Sequence, residues 1–481
     1  MTFYSLGFLV FFTTLFALYF FVCKGNVKAQ NFLLLIASYI FYGCASLKTL
    51  PLLVIITLLY YFLGLFLGRV SNEKKKSAFC AVGVVLGIGI LVYFKYLGFF
   101  IDSFAKLFES FGLHTNIHSF KIIMPLGISF FVFKLISYVI EINRGHIEPV
   151  RDVVAFGTYV AFFPCIMAGP IDRPAFIKQL ERGRVFDYHM AVDGCRQFIW
   201  GMFKKVAIAD NIAGCVDVVW GQSSFANISG GNLLLIAVLY SFQMYMDFSG
   251  YSDMAIGVGK TIGLKIARNF NYPFFALNVA DYWRRWHMSL TSWLTDYVFM
   301  PLNVKFRDWG KFGMILAIII NFVLVGMWHG DNWTYALFGL YHGLLFIPLI
   351  LSGSFFKKTK LKTGNLGLPS LKDFGRMLLT FLLITVGLII FRADSVGRAF
   401  SYIGNLFSNS IVTISLENRH LQCMAFILAA MVIEWIQRGK EHALDLDRVR
   451  SGALRYVIYL TVIFITLIFS TDSSDFIYAQ F

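Results

Sequence analysis

Charge is scarce in this chain. Of 481 residues only 14% are Asp, Glu, Lys or Arg, and the acids are the rarer sign, 27 against 42 basic residues. That is too little charge to cover a soluble domain of this length, so a water-soluble enzyme is excluded. The seven cysteines (23, 44, 80, 165, 195, 215 and 423) are odd in number and never form C-x-x-C, so neither a disulfide framework nor a zinc site is expected. They read as small apolar packing residues. Internal repeats, low-complexity tracts and long linkers are missing too, so residues 1–481 read as a single membrane domain. There is no G-x-S-x-G, no H-E-x-x-H and no P-loop; "GVGKTIG" at 257–263 lacks the P-loop spacing and reads as a helix-ending glycine cluster. His114 and His118 stand four apart, but in a polar loop, so no metal centre is expected.

What is present is apolar: 58% of residues are hydrophobic and the mean hydropathy is +0.69. Apolar runs recur at 3–22, 31–46, 50–68, 78–98, 121–140, 153–169, 197–217, 232–247, 312–328, 334–352, 375–391, 421–436 and 454–470. Some are short or interrupted, as Val153–Ile171 is by Pro164 and Gly169. These are expected to be re-entrant, which leaves about eleven true spans. The first run lacks a basic leader and a small-residue cleavage site, and is expected to be a retained helix. Basic residues alternate between loops: Lys24 and Lys28, then Arg69 and Lys74–Lys76, then Arg144 and Arg151. The positive-inside rule puts these loops in the cytoplasm and the amino terminus outside. The net charge of +15 is thus topological, and no nucleic-acid partner is implied.

Three stretches carry chemistry. "GMWHGDNW" (326–333) sets His329 at the end of a run, Met314–Trp328, with nothing charged or titratable in it. His342 follows in "FGLYHG". Imidazole exchanges protons near neutral pH, and ionisable groups in membrane segments are usually functional. "NVADYWRRWHMSLTSWLTDYV" can be wound as one amphipathic interfacial helix. Trp283, Trp286, Leu290, Trp293, Leu294 and Tyr297 then share a face opposite Asp281, Arg284, Arg285, Thr291, Ser292 and Thr295, with His287 at the border. "QMYMDFSGYSDMAIG" (243–257) sets Asp247 and Asp253 in apolar company, where they must be paired. They are expected to clamp Arg284 or Arg285, with contact to a substrate group as the alternative.

In chain order, "PLGISFFVFKLISYVIEINRG" (125–145), "FFPCIMAGPIDR" (162–173), "GMFKKVAIAD" (201–210), "QMYMDFSGYSDMAIG", "NFNYPFFALNVADYWRRWHMSLTSWLTDYVFMPL" (269–302), the "WHG" stretch and "FIYAQF" (476–481) together resemble the membrane-bound O-acyltransferases, in their alginate O-acetyltransferase branch. Cys165 and Ala479 are the small departures. The resemblance implies an all-α, polytopic bundle of re-entrant and interfacial helices around a central tunnel. It implies that His329 is catalytic, with His287 near it across the reaction chamber. The activity it implies is passage of an acetyl group from a cytoplasmic donor, expected to be acetyl-CoA, to a hydroxyl of an exported or cell-surface polysaccharide, with a periplasmic acetyltransferase as the expected partner. The location implied is the bacterial inner membrane. His329 can act as general base or as nucleophile, and an oxyanion donor is open to His342, His287 or a Trp such as Trp328. Lys204, Lys205 or Arg173 is expected to meet the donor's phosphates, and Arg284, Arg285 and Asp247 remain candidates for substrate contact. D-alanyl transfer to teichoic acid is the alternative within the fold. A flippase without chemistry is the alternative outside it, although no inverted repeat is visible.

Overall fold

The computed structural model describes residues 1–112, 123–357, 361, 363 and 367–470. His114, His118 and the "FIYAQF" terminus lie outside these. The regular structure of the described residues is helical, with a lone bridge between Thr363 and Pro369 and no named strand. Among the described residues, seven helical segments are long and apolar enough to cross a membrane, and Leu6–Val22 and Gly452–Ile468 are shorter and apolar. The chain packs as two compact units, Met1–Cys195 with Ala255–Ala267, and Arg196–Met254 with Arg268–Phe481.

In the first unit, helices Val27–Ser46 and Leu50–Arg69 have 20 residues each, the length that covers about 30 Å of hydrocarbon. The runs at 121–140 and 153–169 do not become such spans. Helix Ile128–Asn143 is buried on nearly every face, with Lys134 inside it donating to the Tyr159 carbonyl at 3.2 Å. Helix Val153–Ala161 stops after nine residues, and the non-helical stretch that follows is held by protein contacts. Phe163 N donates to Ser38 Oγ at 3.1 Å, and Ala267 N donates to Asp172 Oδ1 at 3.1 Å. Broken backbone among apolar residues persists because side chains and neighbouring backbone satisfy it. "GVGKTIG" does end a helix: Gly230–Thr261 closes with Leu264 N donating to the Gly259 carbonyl and Gly263 at φ +79°.

In the second unit, the run at 197–217 is broken by a π-helical turn, Phe203–Ala209, in which every residue is buried. The wider turn brings the consecutive Lys204 and Lys205 both inward. Gly201 and Gly250 allow this segment to lie against helix Gly230–Thr261, since a Cβ on Gly201 would sit 2.5 Å from the Gly250 carbonyl oxygen.

Candidate active site

Two helices carry the central histidines. Gly310–His329 ends on His329 itself, Gly330 leaves in extended backbone, and Asn332 caps the next helix, Trp333–Leu345, by accepting from Thr334 N at 3.1 Å. The helices cross in near backbone contact. A Cβ on Gly326 would lie 2.0 Å from the Tyr335 carbonyl oxygen, and one on Gly339 would lie 2.2 Å from that of Phe322. Gly339 and Gly343, four apart, flank His342 in the spacing that lets membrane helices approach closely. That spacing was a sequence signal for where His342 packs.

His329 and His342, 3% and 0% exposed, line one narrow cavity. Trp283, Trp286, Phe338 and Phe391 wall it, and the space of about 10 Å³ is at the threshold for one water molecule. The Phe391 ring stands 5.2 Å from that of His329, edge to face, and Phe338 lies 4.6 Å from His342. Trp283 Nε1 donates to His342 Nδ1 at 3.2 Å. Indole only donates, so Nδ1 is the acceptor and the proton of the neutral ring is on Nε2. A Cβ on Gly387 would come within 2.6 Å of that Nε2, so the glycine keeps this edge clear. His329 is the last residue of its helix, at the carboxyl end.

The segment around His287 departs from the expected single helix. It is two short helices, Val279–Trp283 and Met288–Leu294, broken at Arg284–His287 and followed by a π-helical turn, Thr295–Phe299, with His287 in left-handed backbone at φ +42°. Asn269 accounts for the break: its Oδ1 accepts from Ser289 Oγ at 2.7 Å and pairs with His287 Nδ1 at 3.1 Å, replacing helical bonds with side-chain ones. The tryptophans of the expected aromatic face turn into the protein. Trp283, Trp286 and Trp293 are buried, and the first two wall the cavity. His287 is not among the residues lining that cavity; its ring packs on Trp328 at 5.7 Å and Phe248 at 4.7 Å. The imidazole that lines this small cavity with His329 is His342.

The arginine clamp is also corrected. Arg285 Nε pairs with Asp281 at 3.0 Å, and Arg284 donates to the Phe355 carbonyl at 2.6 Å. Asp247 and Asp253 are held instead by the two lysines expected at the donor phosphates. Lys205 Nζ lies 2.8 Å from both Asp210 and Asp247, and Lys204 Nζ lies 2.6 Å from Asp253 and 2.9 Å from Ser249 Oγ. Proximity explains the exchange: the π-turn already lies against helix Gly230–Thr261, and a buried carboxylate takes the cation its packing supplies. Gln197 donates to Asp253 at 2.8 Å, and Tyr245 donates to Glu434 at 2.8 Å. Glu434, set alone in the apolar run 421–436, was the overlooked member. Arg173 is half-buried.

Residues 146–369 match the family model for the membrane-bound O-acyltransferase family. The probable alginate O-acetylase of Pseudomonas putida is 33% identical over 94% of this chain and 95% of its own length. This chain belongs to the membrane-bound O-acyltransferase family. It is a multi-pass membrane O-acyltransferase. The peptidoglycan O-acetyltransferase of Helicobacter pylori is similar at 30% identity over 76% of this chain and 71% of its own length. The teichoic acid D-alanyltransferase of Bacillus subtilis is similar at 30% identity over 64% and 82%.

Proposed function

We propose that the protein moves an acetyl group from acetyl-CoA, on the cytoplasmic side of a bacterial inner membrane, towards hydroxyls of an exported or cell-surface polysaccharide. A periplasmic acetyltransferase is the partner that completes the transfer. The observation that carries this reading is the pairing of His329 and His342 on one constricted, aromatic-walled cavity. His329 takes the proton of the attacking hydroxyl, and the oxygen adds to the thioester carbonyl. The tetrahedral oxyanion accepts from His342 Nε2–H. Collapse forms the ester and expels the thiolate, which recovers the proton from His329. The walls exclude water, which would otherwise hydrolyse the thioester.

Acetyl transfer is preferred over D-alanyl transfer because likeness to the alginate O-acetylase extends over 94% of the chain, against 64% for the D-alanyltransferase. The test is mass spectrometry of surface polymers from cells carrying the wild-type gene, no gene, or His329→Ala. Loss of O-acetyl esters from polysaccharide in the last two is expected. Loss of D-alanyl esters with O-acetyl esters intact overturns the reading.

A further inference from the structure

Outside the catalytic unit, Arg184 is buried yet makes no ion pair among the described residues. Its bonds are to neutral acceptors: Nε to Tyr19 Oη at 2.6 Å, Nη1 to the carbonyls of Leu180 and Arg182 at 3.3 and 3.0 Å, and Nη2 to Asn31 Oδ1 at 2.8 Å. A guanidinium has five N–H groups, so one on Nη2 is left over, and the charge, which lies over the Tyr19 ring at 5.6 Å, meets no carboxylate among the described residues. Arg184 also lines a cavity of about 350 Å³ whose walls are Phe16, Phe20, Phe21 and Phe186 and whose other cation is Lys24. The volume is in the range of small-molecule sites, about 300–1,000 Å³. At the rim Phe21 and Val185 are 76% and 78% exposed, so the opening is apolar.

A free inorganic anion has no use for phenylalanine walls, and a neutral lipid leaves the buried charge unanswered. We propose that this cavity seats an anionic phospholipid, its phosphate against Arg184 Nη2 and Lys24 Nζ and an acyl chain along Phe16, Phe20 and Phe186. The site is separate from the His329 cavity and does not depend on the reaction assigned to it. The lipid neutralises Arg184 and braces the first helix against the Arg182–Phe186 segment.

The test is native mass spectrometry of the full-length protein in detergent, titrated with phosphatidylglycerol and phosphatidylcholine of matched chains. Wild type is expected to retain phosphatidylglycerol preferentially, and Lys24→Glu to lower that preference by about five-fold or more. Lys28→Glu makes the same charge change on an exposed residue outside the cavity and is expected to leave the preference unaltered. Phe186→Glu, at the wall, is expected to lose the bound lipid. Equal retention of the two lipids, or equal effects of Lys24→Glu and Lys28→Glu, overturns the proposal. Displacement of the bound species by inorganic phosphate also overturns it, because the site then recognises a free anion.

Discussion

The indole of Trp283 donates to Nδ1 of His342 at 3.2 Å, and this bond decides which nitrogen of His342 holds its proton. The two residues come from distant stretches, one from the short helix before the break at Arg284–His287 and the other from between Gly339 and Gly343. Trp283→Phe keeps the ring and removes the donor. Acetyl transfer in proteoliposomes is expected to fall in kcat by up to about ten-fold, the worth of one neutral hydrogen bond, with KM little changed. An unchanged kcat removes the tautomer argument.

His329→Ala is expected to lower transfer by about 10²–10⁴-fold, the usual contribution of a general base. His342→Ala, removing the proposed oxyanion donor, is expected to cost about 10²–10³-fold. Thermal stability in detergent should remain near wild type in both. Full activity in His329→Ala excludes it as the acid–base group.

Gly387→Ala places a methyl where His342 Nε2 already lies within 2.6 Å, and Gly375, on the same helix, has nothing within 4 Å of a built Cβ. Activity is therefore expected to drop in Gly387→Ala and to persist in Gly375→Ala, measured in the same transfer assay. Equal activities exclude the close approach to His342.

The lysine–carboxylate pairs call for double-variant cycles on thermal stability. Removing Lys205 alone, between Asp210 and Asp247, is expected to cost about 3–5 kcal/mol, since the carboxylates are left without their cation. Lys204→Ala and Asp253→Ala are expected to be strongly non-additive, while Arg284→Ala and Asp253→Ala add. Coupling of Arg284 to Asp253, with none to Lys204, reverses the assignment.

The membrane class, the helical architecture and the candidacy of His329 are all carried by local sequence. Apolar runs need no partner to declare themselves, and a lone imidazole at the end of one is conspicuous because desolvation is costly. The GxxxG spacing at Gly339–Gly343 is an equally local signal, one overlooked in the sequence. Pairing was not legible. Asp247 required a cation from its sequence alone, but whether Lys205 or an arginine supplied it depended on a π-turn and on the contact of Gly201 with Gly250. Likewise the 279–297 segment has a periodicity that winds as one helix, and the side chain of Asn269, ten residues or more away in sequence, breaks it at His287. Helical periodicity reports which side chains could share a face. Which face meets which neighbour is set by long-range packing, and packing brought His342 onto the small cavity that His329 lines.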